Sequence, residues 1–391
     1  MIKRLVFTLM AGCFWLLTAF SVSAEQEPRS VYTGVIGAQA VVVELSIEDD
    51  DSIVGRYFYR RYHNDIALSG TKSADGRLNL YENRRAENPI ATSSITLYQV
   101  QDGSLKGQWR SVGGKTQPVQ LTLAQDLKEQ KDDTPYLQAL RQENPYDYLR
   151  IAASSLTKER EQTFMGYHLQ WWKEPVSGIR LFSVLSGYPQ GSLKKINEHL
   201  RDRLWKSVVD YHGCLYGGLQ SSAGEADFSQ TVTPSYFSKS VLSAKVFTHF
   251  YCGGAHPDFA DFPINLDVKQ ARELSLEDVL WLGKGEAIYY DEQGRGNATF
   301  DEFSDYRSRL LAPWLVKRMA ALYPKRMLEN EECDYRTQSY WAFVNWHFTP
   351  KGILFSPSFP RVARACEYPE WAILPYKEIN SHAGHFSLKN E

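Results

Sequence analysis

Between residues 30 and 124 the chain is a run of short apolar segments, each closed by a turn signal. Nothing else in the sequence limits the fold as much. Residues 39–46 are β-branched and apolar, and 53–60 follow an Asp-rich turn. Segments 66–70, 77–82, 94–100, 104–110 and 118–123 come after at close spacing. Ala74-Asp75-Gly76 and Gln101-Asp102-Gly103 separate them. β-branched and aromatic side chains suit a half-buried pleated surface, and Asp-Gly pairs supply tight reversals. Short strands in close succession predict an antiparallel meander that closes as a small barrel or a sandwich.

The composition changes at residue 125. Residues 127–133 are charged and nearly free of apolar side chains, so 125–150 reads as a linker. It carries one short helix, started by Thr134-Pro135 and ended by Asn144-Pro145. Residues 151–391 then alternate strands and helices, giving an α+β fold behind an all-β domain at 25–124. Strands are predicted at 167–173, 178–184, 241–251 and 262–268. Ser192 opens a helix whose Leu193, Ile196, Leu200, Leu204 and Val208 recur every three or four residues, with Gly213 as its stop. Ser275-Leu-Glu-Asp278 resembles a capping box. A second helical stripe covers 301–328, with a kink expected at Pro313. Residues 340–348 and 352–356 form a terminal hairpin turning near Pro350-Lys351-Gly352.

Residues 1–24 have the order of a secretory signal: Lys3 and Arg4, an apolar run from Leu5 to Phe20, then Val22-Ser23-Ala24. That run is short for the ~20 residues of a membrane span, and no later segment is apolar enough to cross a bilayer. The formal charge of the chain is −2. Loss of Lys3 and Arg4 makes the exported chain mildly acidic, which argues against a nucleic-acid partner. Beyond the signal the cysteines are Cys214, Cys252, Cys333 and Cys366. An even number in an exported chain implies disulfides, and four cysteines allow three connectivities. Cys214 follows a helix end and Cys252 ends a strand, while Cys333 and Cys366 bracket the hairpin. The expected pairs are therefore Cys214–Cys252 and Cys333–Cys366.

The strand at 241–251 runs into Tyr251-Cys252-Gly253-Gly254-Ala255-His256-Pro257. Two adjacent glycines permit φ > 0 or close backbone approach. This motif, with Asn265-Leu266-Asp267, residues 274–280, residues 348–355, Ala363-Arg364-Ala365-Cys366 and residues 373–376, resembles an RsiV/PdaC-like family of exported bacterial domains of unknown function. The likeness covers about residues 150–380. It implies an envelope setting and, in one branch, binding of a lysozyme-like protein. Family members commonly carry Thr where Cys252 stands. No sigma-binding segment or deacetylase domain accompanies the region here, so neither role is implied, and no catalytic residue carries over.

Chemical motifs are sparse. The sequence has no G-x-S-x-G elbow, no H-E-x-x-H helix and no P-loop. Gly283-Lys-Gly285 and Gly294-Arg-Gly296 lack a strand-to-helix setting. His249, His256 and Asp258 could in principle bind a metal, but their spacing is not diagnostic of a site, and no metal or cofactor is predicted. His256 is expected to brace the Gly-Gly turn. Tyr251, Gly253, Gly254, His256 and Asp258 are the candidate binding residues. Carboxylates pair up at Asp258/Asp261, Glu277/Asp278 and Asp301/Glu302, and glycoside hydrolysis needs two facing carboxyls. Trp171, Trp172, Tyr289, Tyr290, Trp341 and Trp346 offer flat faces with polar edges, which suit sugar rings. Two functions follow: a non-catalytic binding module for an envelope glycan or a lysozyme-like protein, or an envelope glycan hydrolase.

Overall fold

The computed structural model describes residues 29–82, 92–221, 224–291, 296–328, 333–386 and 388. Residues 1–24, read from the sequence as a secretory signal, lie outside them. Strands β1 (Ser30–Ile36), β2 (Gln39–Ile47), β3 (Ser52–Tyr59), β4 (Ile66–Lys72), β5 (Leu78–Glu82), β6 (Ser94–Gln99), β7 (Leu105–Arg110) and β8 (Thr116–Leu123) form a closed antiparallel barrel. Each strand pairs with the next, and β8 returns to β1. Glycines make the closure possible. A Cβ on Gly34, Gly70 or Gly107 would stand 1.9, 2.0 or 1.8 Å from a backbone oxygen of the neighbouring strand. Bare backbone at these positions lets the sheet bend into a cylinder.

Alternation divides each strand between two cores. Val41, Val43, Tyr57, Leu68, Leu80 and Leu97 fill the barrel. Val31, Val42 and Phe58 point outward and pack against Tyr146 and Leu149. Those two residues belong to α2 (Pro145–Ala152), which follows α1 (Pro135–Glu143). The segment read as a linker is thus structured in its second half. Asn144-Pro145 starts a helix as well as ending one: the Asn144 side chain accepts the Asp147 N–H at 3.1 Å, and Pro145 takes the first helical position.

Arg150 of α2 is 1% exposed and lies 2.6 Å from Asp65 at the end of the β3–β4 turn. Arg56 of β3 reaches Glu44 at 2.7 Å, Asp65 at 3.5 Å and Asp147 at 3.8 Å. Tyr146 donates its hydroxyl to Asp65 at 2.6 Å. This buried ionic network seats the barrel on the rest of the chain.

Strands β9 (Thr157–Phe164), β10 (Tyr167–Lys173) and β11 (Arg180–Ser186) make a sheet in the order β11-β10-β9. Helix α3 (Gln190–Gln220) lays Leu193, Ile196, Leu200, Leu204 and Val208 against it and against the next sheet. That sheet contains β12 (Asp227–Phe237), β13 (Val241–Tyr251), β14 (Asp258–Asp261), β15 (Ile264–Asp267) and β16 (Arg272–Glu273). Gly213 does not stop α3. Gly217 and Gly218 near its end serve close approach instead, since a Cβ on Gly218 would meet that of Ala226 at 2.4 Å.

The last core gathers α4 (Leu276–Val279), α5 (Phe300–Tyr306), α6 (Ala312–Leu322), β17 (Asn345–Thr349), β18 (Gly352–Ser356), β19 (Ile373–Leu374) and α7 (Tyr376–Asn380) around Trp341, Phe348 and Phe355. Ser275 caps α4 with a full capping box. The irregularity expected at Pro313 falls just before it. Residues Arg307–Leu311 form a π-helical turn, with the Ala312 N–H bonded to Arg307 O. The helix ends at Leu322, short of the predicted 328. The fold is α+β, with an all-β barrel first. Among the described residues no helix is long and apolar enough to cross a membrane.

Candidate functional site

The Gly-Gly turn joins β13 to β14 and is tied down at both ends. Cys252 is bonded to Cys214 on α3, and Cys333 is bonded to Cys366. Asp258 is ion-paired with Arg364, whose Nη2 also donates to Phe259 O at 2.8 Å. Arg361 donates to Pro257 O at 3.1 Å. Gly253 carries the backbone constraint: its φ is +87°, and an added Cβ would lie 2.4 Å from the Ser221 side chain. Gly254 faces open space without a positive φ, so only one glycine of the pair is needed. His256 is exposed, and no hydrogen bond braces it among the described residues. Tyr251 closes the strand beside Asp227 of β12. Of the five candidates, Asp258 alone has a side-chain ion pair.

The paired carboxylates are engaged structurally. Glu277 is buried against Arg307 at 2.6 Å. Asp278 accepts two bonds from Arg272, at 2.9 and 3.2 Å, and caps Ser275 N–H at 2.8 Å. Glu302 caps Thr299, and Asp301 lies in the same first turn. Asp261 is the exception. It is 0% exposed, and neither oxygen has a side-chain partner among the described residues. Burial pushes its pKa up to about 6, with Lys245 pulling the other way.

A cleft of about 530 Å³ opens where α1 and α2 face β10, β11 and α3. Tyr148, Trp172 and Trp205 line it with Leu137, Leu181 and Leu200, and Arg201, Asp132 and Asp133 add charge. Each aromatic ring is set by local structure. Trp172 stands on β10 and donates its indole N–H to Ser183 Oγ on β11 at 2.9 Å. Tyr148 donates to Asp133 Oδ2 at 2.8 Å. Burial, then this bond, pushes the phenol up to about 12, so it stays a donor at neutral pH. Trp205 on α3 is 6% exposed, and its N–H has no partner among the described residues. Asn197 grips Val184 of β11 through both amide groups, at 2.7 and 2.9 Å, which fixes the helix against the sheet wall. The cleft therefore offers the half-buried ring of Trp172, two nearly buried rings in its wall, a spare indole donor, and charges of both signs. Such a site can stack and hydrogen-bond an amphipathic ligand.

Of the aromatic residues singled out from sequence, Trp172 alone lines this cleft. Trp171 points the other way and donates to Gln162 at 2.9 Å. Trp341 and Trp346 are buried. Tyr289 reaches Asp278 at 3.2 Å, and Tyr290 packs 5.3 Å from Phe300. Tyr148 and Trp205 were not expected. The signal for Tyr148 was Pro145 at a helix start. For Trp205 it was its place beside Leu204 in the apolar stripe.

No family model matches the chain, and no curated protein is similar to it. Among solved structures, the crystal structure of a member of the DUF3298 family from Bacteroides fragilis is similar, with a TM-score of 0.33 and 14% identity. The match covers 59% of this chain and 92% of that one. DUF3298 is a domain family of unknown function.

Proposed function

We propose that this protein is an exported, non-catalytic binding module of the RsiV/PdaC-like kind. Its ligand is a cell-envelope glycan held in the cleft of Tyr148, Trp172 and Trp205. The carrying observation is that three aromatic rings share one cleft with a spare donor and charged side chains. Sugar rings present apolar C–H faces and hydroxyl edges, which such a surface matches. Two disulfides fit an oxidising compartment. The hydrolase reading has less support, because Glu277, Asp278 and Glu302 hold the fold together. Calorimetric titration with soluble peptidoglycan fragments tests the proposal. Trp172→Ala should weaken binding about tenfold, within the 1–3 kcal/mol range of one lost ring stack. Unchanged affinity in that variant, or no heat with any fragment, would reject it. A parallel pull-down with a lysozyme-like protein tests the other partner that the family likeness implies.

A further inference from the structure

A strand at the edge of a sheet presents a row of unpaired N–H and C=O groups, and folded proteins cover or blunt such rows. Among the described residues this chain does so at one edge after another. The barrel closes on itself. On the outer edge of β11, Val184 has its N–H and its C=O taken by Asn197 of α3, at 2.7 and 2.9 Å. The edge strand β9 carries Lys158, Glu159, Arg160 and Glu161 in succession. On β17, Trp346 O accepts from the Asn265 amide and the Phe348 N–H donates to Ser243 Oγ. β12 is an edge of the five-stranded sheet, and its C-terminal end is covered as well. There the Phe237 N–H donates to the sulfur of Met165, at the tip of the β9–β10 hairpin, at 3.5 Å. Pro234 has no N–H to leave exposed.

The stretch from Phe228 to Val232 has no such cover among the described residues. Val246 of β13 accepts the Phe262 N–H at 2.9 Å on the side away from β12. Val232, its partner across the ladder, therefore turns its own N–H and C=O away from β13. Gln230 and Phe228 do the same, because the direction repeats at every second residue. Ser229, Thr231 and Thr233 are exposed on one face of the strand. On the other face Gln230 is bonded to Ser207 of α3 at 3.1 Å, and Phe228 packs 5.9 Å from Tyr211. No residue from Phe228 to Phe237 is charged. An open edge of this kind recognises an extended strand. β12 is itself a strand that fits. With two copies antiparallel and Gln230 opposite the partner's Gln230, Phe228 meets the partner's Val232, and every outward N–H finds a C=O. Ser229 stands beside the partner's Thr231. Asp227 falls opposite the partner's Thr233, whose neighbour on β13 is Lys245, so no like charges face each other. β12 begins at Asp227, so each strand stops short of the end that Met165 covers. We infer that the protein pairs with a second copy of itself through β12, joining two five-stranded sheets about a two-fold axis. This surface is separate from the cleft and does not depend on the glycan reading.

Sedimentation velocity of the intact exported chain, from low to high micromolar concentration, reads the assembly. The weight-average mass should rise from that of one chain toward that of two. Thr231→Lys changes an exposed side chain and puts a cation on each strand of the pair. It should weaken the dimer at least about tenfold while leaving the melting temperature in place. Gln230→Pro removes an outward N–H at the centre of the pairing without removing a bond to β13, and should abolish the dimer. If Gln230→Pro fails to fold, Thr231→Lys carries the test. Cross-linking reads the register. Ser229→Cys mixed with Thr231→Cys should form an intermolecular disulfide on mild oxidation, because these positions face each other closely across the two-fold axis. Either variant alone should cross-link much less. A chain that stays monomeric at every concentration, a dimer of undiminished affinity in the variants that fold, or equal cross-linking in the mixture and in the single variants overturns the inference.

Discussion

Asp65 and Asp261 are both carboxyls sealed where two parts of the molecule meet, and the fold treats them in opposite ways. Asp65 sits between the barrel and α2, bonded to Arg150 and to the Tyr146 hydroxyl, with Arg56 at 3.5 Å. Asp261 sits between the five-stranded sheet and the C-terminal layer, with no side-chain partner on either oxygen among the described residues. Around it the contacts are aromatic: Phe247, Phe259 and Tyr368 stand 5.5–5.8 Å apart, and Lys245 Nζ lies 5.0 Å over the Tyr368 ring. At the first junction buried charge is offset by opposite charge. At the second no such ion pair forms, and burial raises the carboxyl's pKa instead. The first junction should therefore be sensitive to losing a partner, and the second to pH.

The largest effect is expected where an ion partner is removed. Arg150→Ala leaves Asp65 and Asp147 buried with less compensation. It should destabilise the chain by about 3–5 kcal/mol in chemical denaturation. A loss below about 1 kcal/mol would mean that Arg56 alone satisfies both acids and that the network is redundant.

The disulfides come next, and they lie on one side of the comparison. Residues 29–124 contain no cysteine, while both bonds tie the C-terminal part. Replacing Cys214 and Cys252 by Ser should cost about 2–4 kcal/mol and loosen the Gly-Gly turn. Hydrogen exchange should show the loss in α3 and β13 and spare the barrel. Equal loss of protection in both would show that the first junction couples them into one unfolding unit.

Asp261→Asn sharpens the second half of the comparison. The folded pKa of about 6 lies above the ordinary value of 3.8 that stands for the unfolded chain. Below about pH 4 both states hold the proton. As pH rises through 4 to 6 the unfolded state ionises first, so stability falls, and it levels off above 6. Asn cannot ionise. The variant should gain on the order of 2 kcal/mol at pH 7 and lose this pH dependence. A variant less stable than the parent at pH 7 would indicate that the ionised carboxylate has a partner, and the contrast with Asp65 would fail.

Much of the framework was legible in the sequence, because strand and helix periods are local. The strands at 167–173 and 241–251 and the Ser275 capping box lie where pattern put them. β9 was missed because its residues are mostly polar, as befits an edge strand. β12 was missed because its N-terminal half is polar and largely exposed. Gly213 misled because a glycine inside a helix carries the same letter as one that ends it. The cleft was barely legible. Trp172 could be proposed from its ring alone, but its meeting with Tyr148 and Trp205 depends on how α2 and α3 pack.

The smallest effect concerns the segment between the barrel and α1. Residues Lys128 to Asp132 are exposed, and local tethers there include Arg141 to Leu127 O at 3.2 Å and Tyr148 to Lys128 O at 3.3 Å. Limited trypsin should cut first at Lys128 or Lys131, since exposed polar loops are preferred sites. The cut should change the melting temperature little, because the barrel is held by side chains that lie outside the cut segment. Val42 and Phe58 still pack on Tyr146 and Leu149, and Asp65 still meets Arg150. The two fragments should therefore elute together in gel filtration. In Arg150→Ala the same cut should let them separate. Fragments that part in the wild type would show that the ionic junction merely accompanies a covalent tether. First cleavage inside 30–124 would move the boundary itself.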